Sequence, residues 1–195
     1  MEYSKDKREI YLEKELNNLD KFVYHFVSLL DKYVIVSGYV SILTGRSRAT
    51  EDIDLLVPKM DFESFSELWE MAEKNGFECI NTPNTNEAFQ MLKEHAIRFA
   101  RKGQGVPNIE FKIISNKVHE YSFSNKLKLF LKDKIFYISP LEMQVAYKLY
   151  LGSEKDLEDA KHLYELFKEK LDNKELDNLL DDFHAKKNFE IISNE

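Results

Sequence analysis

Two aspartates separated by one residue, Asp52-Ile53-Asp54, open a segment that alternates at its start and ends at Pro58. On a β-strand residues i and i+2 share a face, so both carboxylates project together while Ile53 packs on the opposite side. Carboxylates held that close repel each other. The arrangement suits a hard divalent cation, Mg²⁺ or Mn²⁺, that takes oxygen ligands from protein and phosphate together. Upstream, an apolar run stops at Ser37-Gly38 before a short helical turn. Free backbone N–H groups at such a turn attract phosphate, and glycine leaves room for the anion. A third carboxylate, Glu110, lies in the strictly alternating Ile109-Glu110-Phe111-Lys112-Ile113. If that strand neighbours the first, Glu110 completes a three-carboxylate site able to hold two metals, as third ligand or as base for an acceptor hydroxyl.

Each piece alone has a plainer meaning. An isolated D-x-D caps a turn, Gly38 terminates a strand, and Glu110 is solvated on a half-exposed strand. Arg46 and Arg48, between Gly38 and Asp52, either supply positive charge to a triphosphate or serve as structural arginines of a surface loop. Arg98, Arg101 and Lys102, with Gly103 and Gly105, read as a basic loop, more simply solvated than bound to phosphate or RNA. The order of the pieces carries the chemistry: strand, glycine, helix, basic connection, D-x-D, then a later acidic strand.

The elements that must position these groups follow from periodicity and punctuation. Apolar residues from Ile10 to Leu30 recur at three- and four-residue intervals, which predicts a helix over 5–31. Residues 33–36 read as a buried strand, 40–44 as a helical turn closed by Gly45, and 52–57 as a strand. Asp61 caps a helix through Lys74, ended by Asn75-Gly76. A strand over 77–80, a short helix over 86–93 and a strand over 109–113 come next. Residues 126–131 and 134–139 resemble a hairpin. Ser139-Pro140-Leu141-Glu142 reads as a capping box opening a helix to Leu151. Gly152 stops that helix, Ser153 caps another through Lys170, and a last helix covers 173–187. The division is an N-terminal helical segment (1–31), an α/β core (32–120) and a hairpin with C-terminal helices (121–195).

Composition bounds the class. Hydrophobic residues make up 43% of the 195 residues, enough apolar surface to exclude intrinsic disorder. Cys79 is the single cysteine, which excludes an intrachain disulfide and a cysteine-rich zinc site. The five histidines lack metal-site spacing. The charged N-terminus and the short apolar runs predict a soluble, cytoplasmic protein with no membrane partner. The net charge of −7 is concentrated in the last 44 residues, so a basic groove can coexist with it elsewhere.

On these residues the chain resembles the nucleotidyltransferase superfamily of the DNA polymerase β type. That pattern is hG[GS], nine to thirteen residues, then [DE]h[DE]h. Here Gly38-Tyr39 is followed by twelve residues and then Asp52-Ile53-Asp54-Leu55. Within the superfamily it is most similar to small proteins related to the AbiEii toxins. Their Arg-x-Thr-x-Asp-h-Asp stretch is matched by Arg48-Ala49-Thr50-Glu51-Asp52-Ile53-Asp54. A helical Lys…Lys/Arg-Asp-x-x-Asp element resembles Lys148 with Lys155-Asp156-Leu157-Glu158-Asp159.

The resemblance implies an α+β fold: a nucleotidyltransferase-like mixed sheet flanked by helices, with a C-terminal helical part. It implies metal-dependent transfer of a nucleoside monophosphate from an NTP to a hydroxyl of RNA, protein or a small molecule, and an antitoxin partner. Asp52, Asp54 and Glu110 would hold metal, and Lys148 and Asp159 would act with them. Ser37, Gly38, Tyr39, Arg46 and Arg48 would bind nucleotide. Tyr39 replaces the second Gly or Ser of the pattern, a departure that favours the alternative: an inactive protein of this fold that binds a nucleotide or a partner. A P-loop is absent, and a dehalogenase-type phosphatase fits less well because Leu56 follows the second Asp by two.

Overall fold

Residues 2–193 are described by a computed structural model. In chain order the elements are β1 (Glu2–Ser4), β2 (Glu9–Leu12), α1 (Asn18–Val27), β3 (Val34–Ile35), α2 (Gly38–Leu43), β4 (Asp52–Val57), α3 (Phe62–Lys74), β5 (Phe77–Cys79) and α4 (Thr85–Glu94). Then follow β6 (Ile97–Arg101), β7 (Asn108–Ile113), α5 (Lys117–Ser124), β8 (Leu127–Leu131), β9 (Lys134–Ile138), α6 (Leu141–Leu151), α7 (Glu154–Phe167), α8 (Asn173–Asp182) and α9 (Lys186–Ser193).

Alternation in β4 organises the middle of the molecule. Ile53, Leu55 and Val57 are fully buried on one face, while Asp52 is exposed and Asp54 half-buried on the other. β7 lies parallel to β4 with Asp52 opposite Asn108, Asp54 opposite Glu110 and Leu56 opposite Lys112. Ile109 and Phe111 therefore join the apolar face, and Glu110 and Lys112 join the aspartates. α1 and α3 cover the apolar face through an aromatic cluster. Phe26 sits 5.2 Å from Phe99, Trp69 5.9 Å from Phe99, and Phe99 5.8 Å from Phe111 between ring centroids. Each such side chain contributes about 1.5–3 kcal/mol through burial, so this face fixes which way the carboxylates point.

The full sheet runs β1-β2-β8-β9-β3-β4-β7-β6-β5 among the described residues. It is mixed, with parallel pairs at β2–β8, β9–β3 and β4–β7. Strands from the N-terminal segment and the 127–138 hairpin thus join the same sheet as the core strands. α6 and α7 form an antiparallel pair joined at Gly152, whose φ of +68° is the left-handed conformation that ends a helix cheaply only at glycine.

Several expectations needed correction. The helix predicted over 5–31 is confined to Asn18–Val27, because Glu9–Leu12 pairs in parallel with Lys128–Leu131 of β8. The basic loop at 98–101 is strand β6, held between β5 and β7. Ser139 and Glu142 do not form a capping box. Ser139 Oγ donates to Ser122 Oγ at 3.1 Å, and Glu142 Oε1 accepts from the Asp172 N–H at 2.8 Å. The last predicted helix is two, α8 and α9, broken where His184 takes a φ of +53°.

Tyr39 is the clearest correction. Its side chain leaves the phosphate loop and enters the core, 1% exposed, where its hydroxyl donates to Asp20 Oδ1 at 2.7 Å. Asp20 is fully buried, completes a capping box with Asn17, and pairs with Lys14 at 3.3 Å. Burial beside that carboxylate pushes the Tyr39 phenol far up. The bulky residue in the glycine pattern therefore anchors α2 to α1. Tyr39→Phe should lower stability by about 1.5–3 kcal/mol, the range for a hydrogen bond to a charged group. Denaturant unfolding measures that loss.

Candidate active site

The acidic pair and its surroundings occupy the face of the sheet that α5 and α6 overhang. Asp52 Oδ1 accepts from Asn108 Nδ2 at 2.8 Å. Asp54 Oδ1 pairs with Lys112 Nζ at 2.8 Å, and the same ammonium lies 2.7 Å from Glu110 Oε1. The other Glu110 oxygen faces Arg98 Nη2 at 3.2 Å. Burial pushes Glu110 up, but Lys112 and Arg98 together outweigh it and hold its carboxyl below the usual glutamate range. Glu110 thus stands beside Asp54 as the spacing implied, with both oxygens already engaged by cations.

Among the described residues, no three His, Cys, Asp or Glu side chains are gathered into a ready-made metal site. The donor set nonetheless fits one Mg²⁺ or Mn²⁺ shared with phosphate. Mg²⁺ is usually held by one or two carboxylates plus substrate oxygens, and Asp52 and Asp54 supply two on one face. Beside them Asn108 Oδ1 is buried with no hydrogen-bond partner, an oxygen free to face a cation or its water.

The turn at Ser37-Gly38 combines backbone strain with nearby charge. Ser37 caps α2 with φ +62° and ψ −142°, backbone that costs a non-glycine residue on the order of 1–3 kcal/mol. Its hydroxyl makes no capping bond. The tip of the Arg48 guanidinium occupies the space a side chain at Gly38 would take, so a larger residue there would push the guanidinium aside. Arg48 therefore places positive charge directly over the start of α2.

Arg48, Arg46 and Lys148 meet at one carboxylate. Asp159 on α7 is fully buried and accepts from Lys148 Nζ at 2.6 Å, from Arg48 Nη2 at 3.1 Å and from Arg46 Nη1. Arg46 also holds Glu158 and the Lys155 carbonyl, and Lys148 lies 3.4 Å from Asp156. Arg46 is thus committed to α7, whereas Arg48 reaches both Gly38 and Asp159. Burial pushes the Lys148 ammonium down to about 8, against the pull of Asp156 and Asp54 and with help from Arg48. The contribution of Asp54 brings Lys148 within the electrostatic reach of the acidic pair.

Sequence reasoning missed Lys112, Asn108 and Arg98 as neighbours of the carboxylates. Lys112 shares the face of Glu110 by alternation, but its contact with Asp54 depends on strand adjacency. Two cavities flank the site. One of about 750 Å³ lies between α1 and the connection before β4, lined by Lys21, His25, Arg48, Thr50, Arg101 and Gln104 among others and by none of the three carboxylates. The other, about 230 Å³, lies beside Asp54 and Ser37.

Replacing Asp159 should be the most damaging single change in this region. Asp159→Asn leaves three buried or half-buried cations short of a partner, a loss of about 3–5 kcal/mol for a broken buried ion pair. Lys148→Met should cost less, because Asp159 keeps both guanidinium groups. Urea unfolding of the two variants gives the ranking.

No family model matches the sequence, and no curated protein matches it. Solved structures do share its architecture. An antigenic nucleotidyltransferase-like protein from Paracoccidioides brasiliensis superposes with a TM-score of 0.52 at 16% identity, covering 84% of this chain and 84% of that one. The antibiotic-resistance factor ANT(2'')-Ia in solution gives 0.54 at 12%, covering 86% and 91%. Its crystal structure with adenylyl-2''-tobramycin gives 0.50 at 11%, covering 88% and 99%. At such identities the likeness is one of architecture: the chain has the α+β fold of the nucleotidyltransferase-like proteins, a mixed sheet flanked by helices.

Proposed function

We propose that the chain transfers a nucleoside monophosphate from an NTP to a hydroxyl acceptor and releases pyrophosphate. The observation that carries this reading is the shared face of Asp52 and Asp54, with Arg48 over Gly38 and Lys148 beside them. Asp52 and Asp54 would hold Mg²⁺ or Mn²⁺, which when bound neutralises charge on the phosphates and lowers the barrier to attack on the α-phosphorus. Ser37, Gly38 and Arg48 would receive the phosphates, while Lys148 stabilises charge that grows on the leaving pyrophosphate. The acceptor oxygen would form a bond to the α-phosphorus as the bond to pyrophosphate breaks, and Glu110 would take the acceptor proton.

The finer kinship proposed is with the AbiEii-type toxins, with a cytoplasmic RNA or protein acceptor and an antitoxin partner. It is supported by the ion pair between Arg48 of the first stretch and Asp159 of the second, since the two motifs meet in space. The rival reading, a binding protein without turnover, is favoured by one observation: both Glu110 oxygens are engaged, which weakens it as a base. Pyrophosphate release from each NTP, with Mg²⁺ and a cell-extract acceptor pool, separates the two. NTP binding without release supports the rival; loss of release in Asp52→Asn with Asp54→Asn supports catalysis.

A pH profile tests the role of Lys148. Its ammonium must be charged to act, and its pKa stands at about 8. Activity should therefore fall as pH rises through about 8. Lys148→Arg keeps the charge, because guanidinium does not deprotonate in this range, and should move that limb upward. An unchanged alkaline limb in the arginine variant would remove Lys148 from the mechanism.

A further inference from the structure

The smaller cavity holds chemistry that phosphate transfer does not use. Its 230 Å³ lie between the Asp54 face of the sheet and the overhanging helices α5 and α6. Leu56, Val118, Met143 and Tyr147 give it apolar walls, and Ser37, Asp54 and Lys112 stand on its rim toward the carboxylates. Gln144 also lines it. This residue is only 5% exposed, and its carboxamide makes no hydrogen bond with any other described residue. The amide atoms are not sealed in the core but open to the cavity, free to pair with a group that enters it. His119 lines the same cavity. The Ser115 N–H points at its Nδ1 at 3.4 Å, which leaves Nε2 for whatever enters.

The position of Gln144 on α6 narrows the ligand. Residues four apart lie on one helix face, one turn from each other, so Gln144 precedes Lys148 on the stripe that faces the cleft. Phosphate charge belongs at the Lys148–Arg48 end, and an uncharged ring against the apolar walls at the Gln144 end. The volume is below the roughly 300–1,000 Å³ of cavities that enclose a drug-sized ligand. It suits one ring system with a charged remainder outside.

We propose that this cavity takes the nucleobase of the nucleotide, and that Gln144 is the residue that selects among bases. The inference rests on the nucleotide reading above and adds the specificity determinant to it. A carboxamide presents one donor and one acceptor side by side, so it pairs in bidentate fashion with a base edge of matching polarity and leaves a mismatched edge unpaired. The apolar walls bind any base face; the amide decides which edge is accepted.

The test is equilibrium binding of the four NTPs and of inorganic tripolyphosphate to the full chain, with Ca²⁺ as the divalent ion to suppress turnover. The parent should prefer one base over the poorest by about tenfold or more. Gln144→Leu should compress that spread to within about threefold while tripolyphosphate affinity stays unchanged. Gln144→Glu, close in shape but with no donor at neutral pH, should change the ranking of the bases. Gln144→Leu should also melt no lower than the parent, because the change breaks no hydrogen bond; a purely structural glutamine would melt lower. A parent that binds all four NTPs alike, or variants that keep the parent ranking, would overturn the assignment of Gln144 and leave the nucleotide reading intact. Failure of both NTPs and tripolyphosphate to bind would overturn the nucleotide reading and this inference together.

Discussion

The buried carboxylate of Asp159 is the point through which the sheet and the helical part constrain one another. It draws Arg46 and Arg48 from the connection between α2 and β4, and Lys148 from α6. A buried charge with three cationic partners has one satisfactory geometry, because each alternative leaves some charge desolvated and unpaired. The connection of residues 44–51 could otherwise wander, since it has no regular structure of its own. Pinned to α7, it delivers β4 to its place and sets Arg48 over Gly38. The glycine is then explained from both sides: the helix start needs an open surface, and Arg48 fills it.

A second constraint is the parity of two strands. Because β4 and β7 run parallel with Asp54 opposite Glu110, every second residue of each strand belongs to the same chemical face. A slip of one residue would send Asp52, Asp54 and Glu110 into the Phe26–Phe99–Phe111 cluster and expose Ile53 and Phe111. The aromatic side thus enforces the carboxylate side. Lys112, two residues after Glu110, follows from the same parity and bridges the strands through its two ion pairs.

Legibility in the sequence tracked the range of the interactions. β4 and α3 were readable with their boundaries, since alternation, Pro58 and the Asp61 cap are all local signals. Lys148 and Asp159 entered only through the resemblance; their ion pair depends on how α6 and α7 pack. The N-terminal strands were not readable. Ile10 and Leu12 also fit a helical period, and the strand that claims them, β8, lies more than a hundred residues away. Strand preference depends on such partners more than on the residues themselves. The same limit hid β6, where Arg98 and Arg101 suggested a loop although Ile97 and Phe99 alternate between them. The direction of the Tyr39 side chain was not legible, because the motif fixes a backbone position whereas Asp20 on a preceding helix decides where the side chain goes. Gln144 carried no local signal at all; only its burial without a partner distinguishes it.

Charge balance connects these features to the proposed activity. Without ligand the cleft already matches its own charges: Lys112 and Arg98 sit on Glu110, Lys112 also on Asp54, and Arg48 and Lys148 on Asp159. A bare divalent ion would compete with Lys112 for Asp54, and a bare triphosphate would meet the exposed charge of Asp52. Neither alone improves on the internal pairing by much, because each adds a charge that the site must leave partly unbalanced. The two together add positive charge at the aspartates and negative charge at Arg48 and Lys148, so each internal pair can loosen without stranding a partner. Selection for a metal–nucleotide complex over its separate components would then arise from the resting ion pairs themselves. The same pairs keep the cleft folded when it is empty, so the side chains that would recognise the substrate also hold the core and the helices in register.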